Sequence, residues 1–501
     1  MIQFFSREFL LFFAVVFTLY WLTPWHRLRV WLLLAASFVF YASWDWRLAL
    51  LISATTAADY VIARGMEAWP APRGRKLLLL GSLVMNLGLL CYFKYANFFL
   101  ASLDQALHAA GGSVSMPVLR VILPIGISFY TFEAINYTVD VYRGRVRAER
   151  NFAHFMLFIL FFPHLIAGPI VRARDFLPQI ARRKRWDWAR MQLGVGQFLV
   201  GLLKKLAVAD RMALYARPVF ENPDAYGSAV VWTAVLAFAL QIYCDFSGYT
   251  DMALGSANLL GFKLAPNFNM PYLATNFSDF WRRWHISLSG WLRDYLFIPL
   301  GGSRGGEWKT CRNLMITMTL GGLWHGLSWV FVLWGVLHGA FLVLHRLFRS
   351  FCESRPRLDG LLRTTPGTAL RMGVTFLGVC LGWVLFAAAG VEAETTLART
   401  KKLAAGEAVV GPAYDALHTT QVILRKLVTP ESGQGSPMER KGLWFTVAAV
   451  ALCHFLTVRG AWKKLWRRLP APALGFGYAA MLTLALVLAP DAGQTFIYFQ
   501  F

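Results

Sequence analysis

Residues 321–329 read GGLWHGLSW, and they place His325 inside Leu314–Leu344, an apolar run without Asp, Glu, Lys or Arg. An imidazole in such a run is either a hydrogen-bonded packing group or a proton carrier, the role its ordinary pKa suits. On an uninterrupted helix Gly321, Gly322, Ser328 and Trp329 share the face of His325. The two glycines remove side chains on the side toward which the imidazole leans. That makes room for a substrate or for a closely approaching helix. Ser328 is positioned to bond a ring nitrogen and fix the tautomer, with Trp324 beside it. His338 falls on another face, and its spacing from His325 does not suit a metal site.

A second group is Asp245 and Asp251 in YCDFSGYTDMALG (243–255), flanking a small-residue turn at Ser247-Gly248-Tyr249. Carboxylates at membrane depth are costly, so they pair or line a wet path. Arg282, Arg283, Arg293 or a histidine are the expected partners. Two readings stand: a salt bridge that orients helices, or paired carboxylates for acid–base work. The third group is DFWRRWHISLSGWLRDYLFIPL (279–300). At helical spacing Trp281, Trp284, His285, Leu288, Trp291, Leu292 and Tyr295 share one face. Arg282, Arg283, Ser289, Arg293 and Asp294 share the other. This predicts one amphipathic helix in the headgroup plane, with His285 at the edge of its apolar face.

The elements that position these groups are membrane helices. The chain has 501 residues, of which 57% are hydrophobic and 15% charged. Soluble domains are less apolar and more charged, and here the apolar runs recur along the whole length. The expected fold is all-α and polytopic, with about eleven to thirteen crossings plus re-entrant and interfacial segments. It is read as one membrane domain, with a core at about 118–345 and peripheral helices at 1–117 and 346–501. Lys+Arg 50 against Asp+Glu 27 leaves a net charge of +23. These residues sit between apolar runs, which fits cytoplasmic loops and anionic lipid rather than nucleic acid. The loop holding Arg182, Arg183, Lys184 and Arg185 is expected on the cytoplasmic side. LPIGIS (123–128) and FFPHLIAGPIVR (161–172) break their helices, as a protein built around a cavity requires or as ordinary kinks do. Residues 392–442 read as a loop with one surface helix. GGSRGG (301–306) lacks the strand and the Lys-Ser/Thr of a phosphate loop and reads as a turn. The six cysteines are not closely paired and read as reduced thiols without a metal site. The apolar N-terminus reads as a retained first span.

Several stretches together resemble the membrane-bound O-acyltransferases, in particular the bacterial alginate O-acetyltransferase branch. They are LLAASFVFYASW (33–44), YFKYANF (92–98), LPIGISFYTFEAINYTVDVYRG (123–144), FFPHLIAGPIVR (161–172), DFSGYTDMALG (245–255), NFNMPY (267–272), residues 279–306, GGLWHGLSWVFVLWGVLHG (321–339) and FIYFQF (496–501). The resemblance implies a ring of tilted helices around a thin centre, reached by acyl donor from the cytoplasm and by acceptor from the other side. It assigns the family's signature histidine to His325 and a second family histidine to His285. It implies acetyl transfer from a cytoplasmic thioester, acetyl-CoA, with no bound cofactor and no metal. The acceptor would be an exported polysaccharide or an extracytoplasmic partner acetyltransferase. His325 would act as general base or carry the acyl group covalently. Arg282, Arg283 and Arg304 are candidates for the CoA phosphates, with lipid contact as the alternative. Asp245, Asp251, Trp324, Ser328, Gly321 and Gly322 are candidates to line or orient the centre. The competing functions are D-alanyl transfer from a carrier protein and non-enzymatic transport of acyl groups or glycolipids. The expected location is the bacterial inner membrane.

Overall fold

The computed structural model describes residues 2–69, 71–112, 116–117, 119, 121, 123–404, 414–490 and 496. Among them there is no β-strand. Among the described residues seven helices are long and apolar enough to cross a membrane: Trp46–Ala68, Pro72–Ala109, Trp188–Glu221, Ser228–Leu259, Trp329–Glu353, Thr365–Thr396 and Arg440–Val458. That is fewer than the sequence spacing predicts. Apolar runs that read as separate spans join: 229–244 and 252–259 lie in one helix. Others form helices of 16 or 17 residues, short for a bilayer core of about 30 Å at 1.5 Å per residue.

The chain divides into two compact units, Met1–Leu202 with Tyr249–Pro266, and Leu203–Gly248 with Asn267–Phe501. The first unit contains α1 (Arg7–Leu22), α2 (His26–Ala42), α3 (Trp46–Ala68), α4 (Pro72–Leu90) and α5 (Ala96–Ala109). Next come α6 (Ile127–Tyr142), α7 (Phe152–Leu160), α8 (Phe162–Leu165), α9 (Ala173–Ala181) and α10 (Trp188–Leu203). A buried polar network joins α3, α4 and α6. Asp59 accepts from the Ser82 hydroxyl at 2.6 Å and the Asn86 amide at 2.9 Å, and Ser82 lies 3.2 Å from Thr138. The two broken stretches pack on each other. Gly126 opens α6 at φ +76, and a Cβ there would lie 2.9 Å from the Leu165 carbonyl oxygen. Glu133 accepts from the Val171 amide at 2.8 Å, and Asn136 donates to the Val171 carbonyl at 3.0 Å. The backbone groups freed at Val171 are thus met by protein, as membrane depth demands. His164 lies 3.2 Å from Glu133 and orients the same carboxylate.

A single π-type turn at Lys204–Ala209 leads from α10 to α11 (Asp210–Glu221). Then comes α12, one continuous helix over Ser228–Leu259. The expected turn at Ser247-Gly248-Tyr249 does not form. Small residues inside an apolar run are compatible with a packed helix, and Ser247 and Tyr249 are buried. The rest comprises α13 (Phe277–Arg283), α14 (Ile286–Leu292), α15 (Glu307–His325), α16 (Trp329–Glu353), α17 (Pro356–Arg363) and α18 (Thr365–Ala404). It ends with α19 (Ala416–Val428), α20 (Arg440–Val458), α21 (Ala461–Arg468) and α22 (Ala471–Val487). The described residues of the polar stretch 392–442 are therefore largely helical. α18 runs on to Ala404, and α19 buries Thr419, Val422, Ile423 and Lys426. The Lys426 ammonium donates to the carbonyls of Pro223, Asp224 and Tyr226 at 3.0, 3.0 and 2.7 Å. GGSRGG forms turns before α15. Of the terminal FIYFQF, only Phe496 lies within the described residues, and it is buried.

Candidate active site

The helix carrying His325 ends at His325. Gly326 is fully extended, and Ser328 caps α16 by accepting from the Val330 amide at 3.0 Å. The run 314–344 is thus a helical hairpin. Ser328 and Trp329 do not continue the face of His325, and the Ser328 hydroxyl accepts from its own helix and bonds the Glu392 carboxylate. The glycines serve the other reading given above, close helix approach. A Cβ on Gly322 would strike the Phe331 carbonyl and lie 2.9 Å from the Gly335 backbone. Gly321 faces Leu292 of α14 at 3.3 Å. A Cβ on Gly326 would meet the Phe331 ring. The hairpin is therefore as tight as backbone contact permits.

That tightness encloses His325, which is 3% exposed. Its ring lies 5.0 Å from Trp324, 4.9 Å from Trp334 and 5.1 Å from Phe386 of α18. The last two contacts are edge-on, at 85° and 75°. Aromatic walls exclude water without supplying strong hydrogen bonds, which strengthens any electrostatic interaction made inside them.

His285 reaches the same neighbourhood by a different route. The predicted amphipathic helix over 279–300 is broken at its middle. Trp284 is extended and His285 is left-handed at φ 42, ψ 56. α13 ends before it, α14 begins after it, and a π-type turn over Arg293–Phe297 follows. The expected apolar face is still buried at Trp281, Trp284, Leu288, Trp291 and Leu292. His285 is not at an edge: it is 0% exposed. Its ring meets Phe246 of α12 at 4.7 Å edge-on and Trp324 at 6.3 Å. Trp324 thus stands between the two histidines. The break is pinned by Asn267, whose carbonyl accepts from the Ile286 amide at 2.9 Å. The Asn267 side chain accepts from the Ser287 hydroxyl at 2.6 Å. A left-handed non-glycine residue costs about 1–3 kcal/mol and persists only where surroundings hold it.

The carboxylates do not pair. Asp245 takes Lys205 as partner, at 2.8 Å, and Lys205 also meets Asp210 at 2.8 Å. All three are buried. The arginines named as partners are elsewhere, and Lys205, from the π-type turn before α11, fills the site. Asp251 lies six residues along α12, on another face, with the Gln197 amide at 3.5 Å. Arg283 is held by Asp279 at 3.0 Å, and Arg293 by Asp294 at 2.7 Å. Arg282 and Arg304 are exposed. Arg282 interacts electrostatically with His345 of α16, together with Arg349 and Arg371. Of the sequence-predicted residues, the structure therefore brings together His325, His285, Trp324 and the glycines. Asp251 and Ser328 bond to Gln197 and to the start of α16, and Arg304 is exposed in the turns before α15. Sequence reasoning missed Asn267, Phe246, Trp334, Phe386 and Lys205. The Asn-x-Asn-x-Pro run at 267–271 is a turn signal that points to Asn267. The rest are apolar or helical positions without a local mark.

The family described as MBOAT, membrane-bound O-acyltransferase, matches residues 77–385. The chain is 44% identical over 394 residues to the probable alginate O-acetylase AlgI of Azotobacter vinelandii, covering 77% of this chain and 75% of that protein. It is 35% identical over 394 residues to the peptidoglycan O-acetyltransferase of Helicobacter pylori, covering 73% and 72%. It is 28% identical over 289 residues to the teichoic acid D-alanyltransferase of Bacillus subtilis, covering 54% and 70%.

Proposed function

The chain belongs to the membrane-bound O-acyltransferase family, and on that premise we propose that it moves an acetyl group from cytoplasmic acetyl-CoA to hydroxyls of an exported polysaccharide, with His325 as the base. It is a multi-pass membrane O-acyltransferase; donor, acceptor and inner-membrane location are the proposal. Relatives named for alginate and peptidoglycan O-acetylation support the acetyl group and the polysaccharide class. Transfer to an extracytoplasmic partner acetyltransferase is part of the same reading.

The observation that carries it is His325 closing α15 inside aromatic walls, one tryptophan away from a wholly buried His285. The neutral His325 imidazole takes the proton of the acceptor hydroxyl as its oxygen attacks the thioester carbonyl. A C–O bond forms and the C–S bond breaks. The thiolate leaves with the proton returned by the imidazolium, so His325 ends neutral. A positioned base of this kind contributes about 10²–10⁴-fold. The enclosure limits hydrolysis of the thioester.

The test is acetyl incorporation into alginate or peptidoglycan from labelled acetyl-CoA by the full-length protein in vesicles. His325→Ala is expected to lower the rate by about 10²–10⁴-fold with folding intact. A rate equal to that of the unaltered protein would overturn the assignment of the base. Turnover of carrier-protein-bound D-alanine with acetyl-CoA ignored would replace the donor.

A further inference from the structure

The first unit gathers cations where α1 turns into α2, with few acids to match them. Arg29 of α2 is 6% exposed and lies over the rings of Tyr20 and Trp21 of α1, at 5.0 and 5.2 Å. Its guanidinium donates to the carbonyls of Thr23, Lys184 and Trp21 at 2.6, 3.0 and 3.4 Å. Those bonds pin the 182–187 segment to the turn between α1 and α2. Lys184 is half-buried, with its ammonium 4.5 Å from the centre of the Phe262 ring. Burial, then the nearby Arg190 and Arg182, pulls that ammonium down to about 8, and no carboxylate among the described residues offsets them. The acid of the segment, Asp187, holds Arg190 at 3.5 Å. His26, the first residue of α2, interacts electrostatically with His154, Lys184 and Arg29, and its ring reaches the Ile180 backbone. His154 lies within the influence of Glu149. Nε2 of His26 is enclosed and makes no hydrogen bond among the described residues. Cations brought together repel one another, and an enclosed nitrogen without a partner is seldom kept. A bound anion answers both.

The surroundings indicate which anion. Trp186 lies edge-on to Phe17 and Trp21 of α1, at 6.0 and 5.1 Å, and to Trp188 at 5.1 Å. Trp186 and Trp188 are 42% and 71% exposed. Tryptophans of this kind gather at headgroup depth. Leu11, Val15 and Leu22 of α1 are exposed as well, an apolar stripe at helical spacing that leads away from the tryptophans. A soluble anion would meet the cations and leave the indoles and the stripe bare. A phospholipid covers all three.

We propose that Lys184 and His26 hold the phosphate of an anionic membrane phospholipid whose acyl chains lie along α1. The Lys184 ammonium donates to the phosphate. His26 donates from Nε2 as the imidazolium that the adjacent negative charge favours. Arg182 and Arg190 add attraction at longer range, and Trp186 packs on the upper part of the chains. The bound lipid ties α1, α2 and the 182–187 segment together at the membrane surface. The site involves neither acyl donor nor acceptor, so it stands apart from the acyltransfer reading.

The experiment places the full-length protein in phosphatidylcholine vesicles with increasing phosphatidylglycerol. Lipid retained after mild detergent extraction is read by native mass spectrometry. The unaltered protein is expected to retain phosphatidylglycerol in preference to phosphatidylcholine by about tenfold. Lys184→Gln leaves in place the backbone carbonyl that Arg29 uses, and is expected to weaken retention about tenfold. His26→Phe should weaken it by a similar factor, and Lys184→Arg should hold it within about twofold. Arg183→Gln alters an exposed cation of the same segment and should change retention by no more than about twofold. Equal losses in Lys184→Gln and Arg183→Gln would mean diffuse surface charge and overturn the site, as would equal retention of the two lipids. Displacement of phosphatidylglycerol by glycerol 3-phosphate would make the ligand a soluble phosphate and overturn the lipid. The melting temperature in phosphatidylcholine alone separates loss of the site from loss of the fold. Adding phosphatidylglycerol should raise it in the unaltered protein and in Lys184→Arg. An equal rise in Lys184→Gln overturns the proposal.

Discussion

His285 combines two properties that a single sequence position rarely reveals: a buried imidazole and a left-handed backbone. Two substitutions separate them. Glycine adopts that backbone freely, whereas alanine pays about 1–2 kcal/mol. His285→Ala is expected to melt at a lower temperature than His285→Gly, and both should lose acyl transfer by about 100-fold. Full transfer in His285→Gly, measured with labelled donor, would reduce the residue to a hinge. The types and positions of both histidines were legible in the sequence. Their settings were not. The face drawn for His325 assumed a helix through Gly326, and the chain instead turns there. The sequence offers Arg282, Arg283, Arg293 or a histidine as the partner of Asp245. Lys205 lies forty residues earlier, in an apolar run, and only folding brings it to Asp245.

Secondary elements were read well where hydrophobic periodicity is long and poorly where it is interrupted. The α15–α16 hairpin depends on Gly322 and Gly335 meeting backbone to backbone. Glycines in an apolar run read equally as a substrate notch or a helix crossing, and spacing alone does not choose. The crossing carries its own test. Gly335→Ala would drive a Cβ into the Met318 carbonyl, at a cost of about 1–3 kcal/mol for overpacking. A lowered melting temperature is expected, with transfer falling as the walls of His325 shift. An unchanged melting temperature would show that the helices separate easily. The 279–300 segment teaches the converse. Its apolar face was drawn correctly because burial follows the 3.6-residue period even across a break. The break itself is set by Asn267, which no periodicity reports.

For the molecule as a whole, composition alone was enough for the class, all-α and polytopic, because so apolar a chain has few other folded forms. The number of helices long enough to cross was not, since joined runs and short helices look alike in a hydropathy trace. Orientation follows from charge. A cysteine at position 183, in place of Arg183, is expected to react with an impermeant maleimide only after the cytoplasmic side is opened. Cys91 and Cys453 are exposed and need replacing first. Labelling on intact cells would invert the topology and with it the direction of transfer. One internal feature also limits how the whole chain can diverge. Lys205 stands between Asp210 and Asp245 away from water, and a buried carboxylate that loses its cation is far costlier than one that keeps it. Inheritance of a change at one of these positions therefore favours a compensating change at another. Descendant sequences that have lost the lysine are expected to have lost both aspartates too, a correlated pattern that comparing them would reveal without any assay.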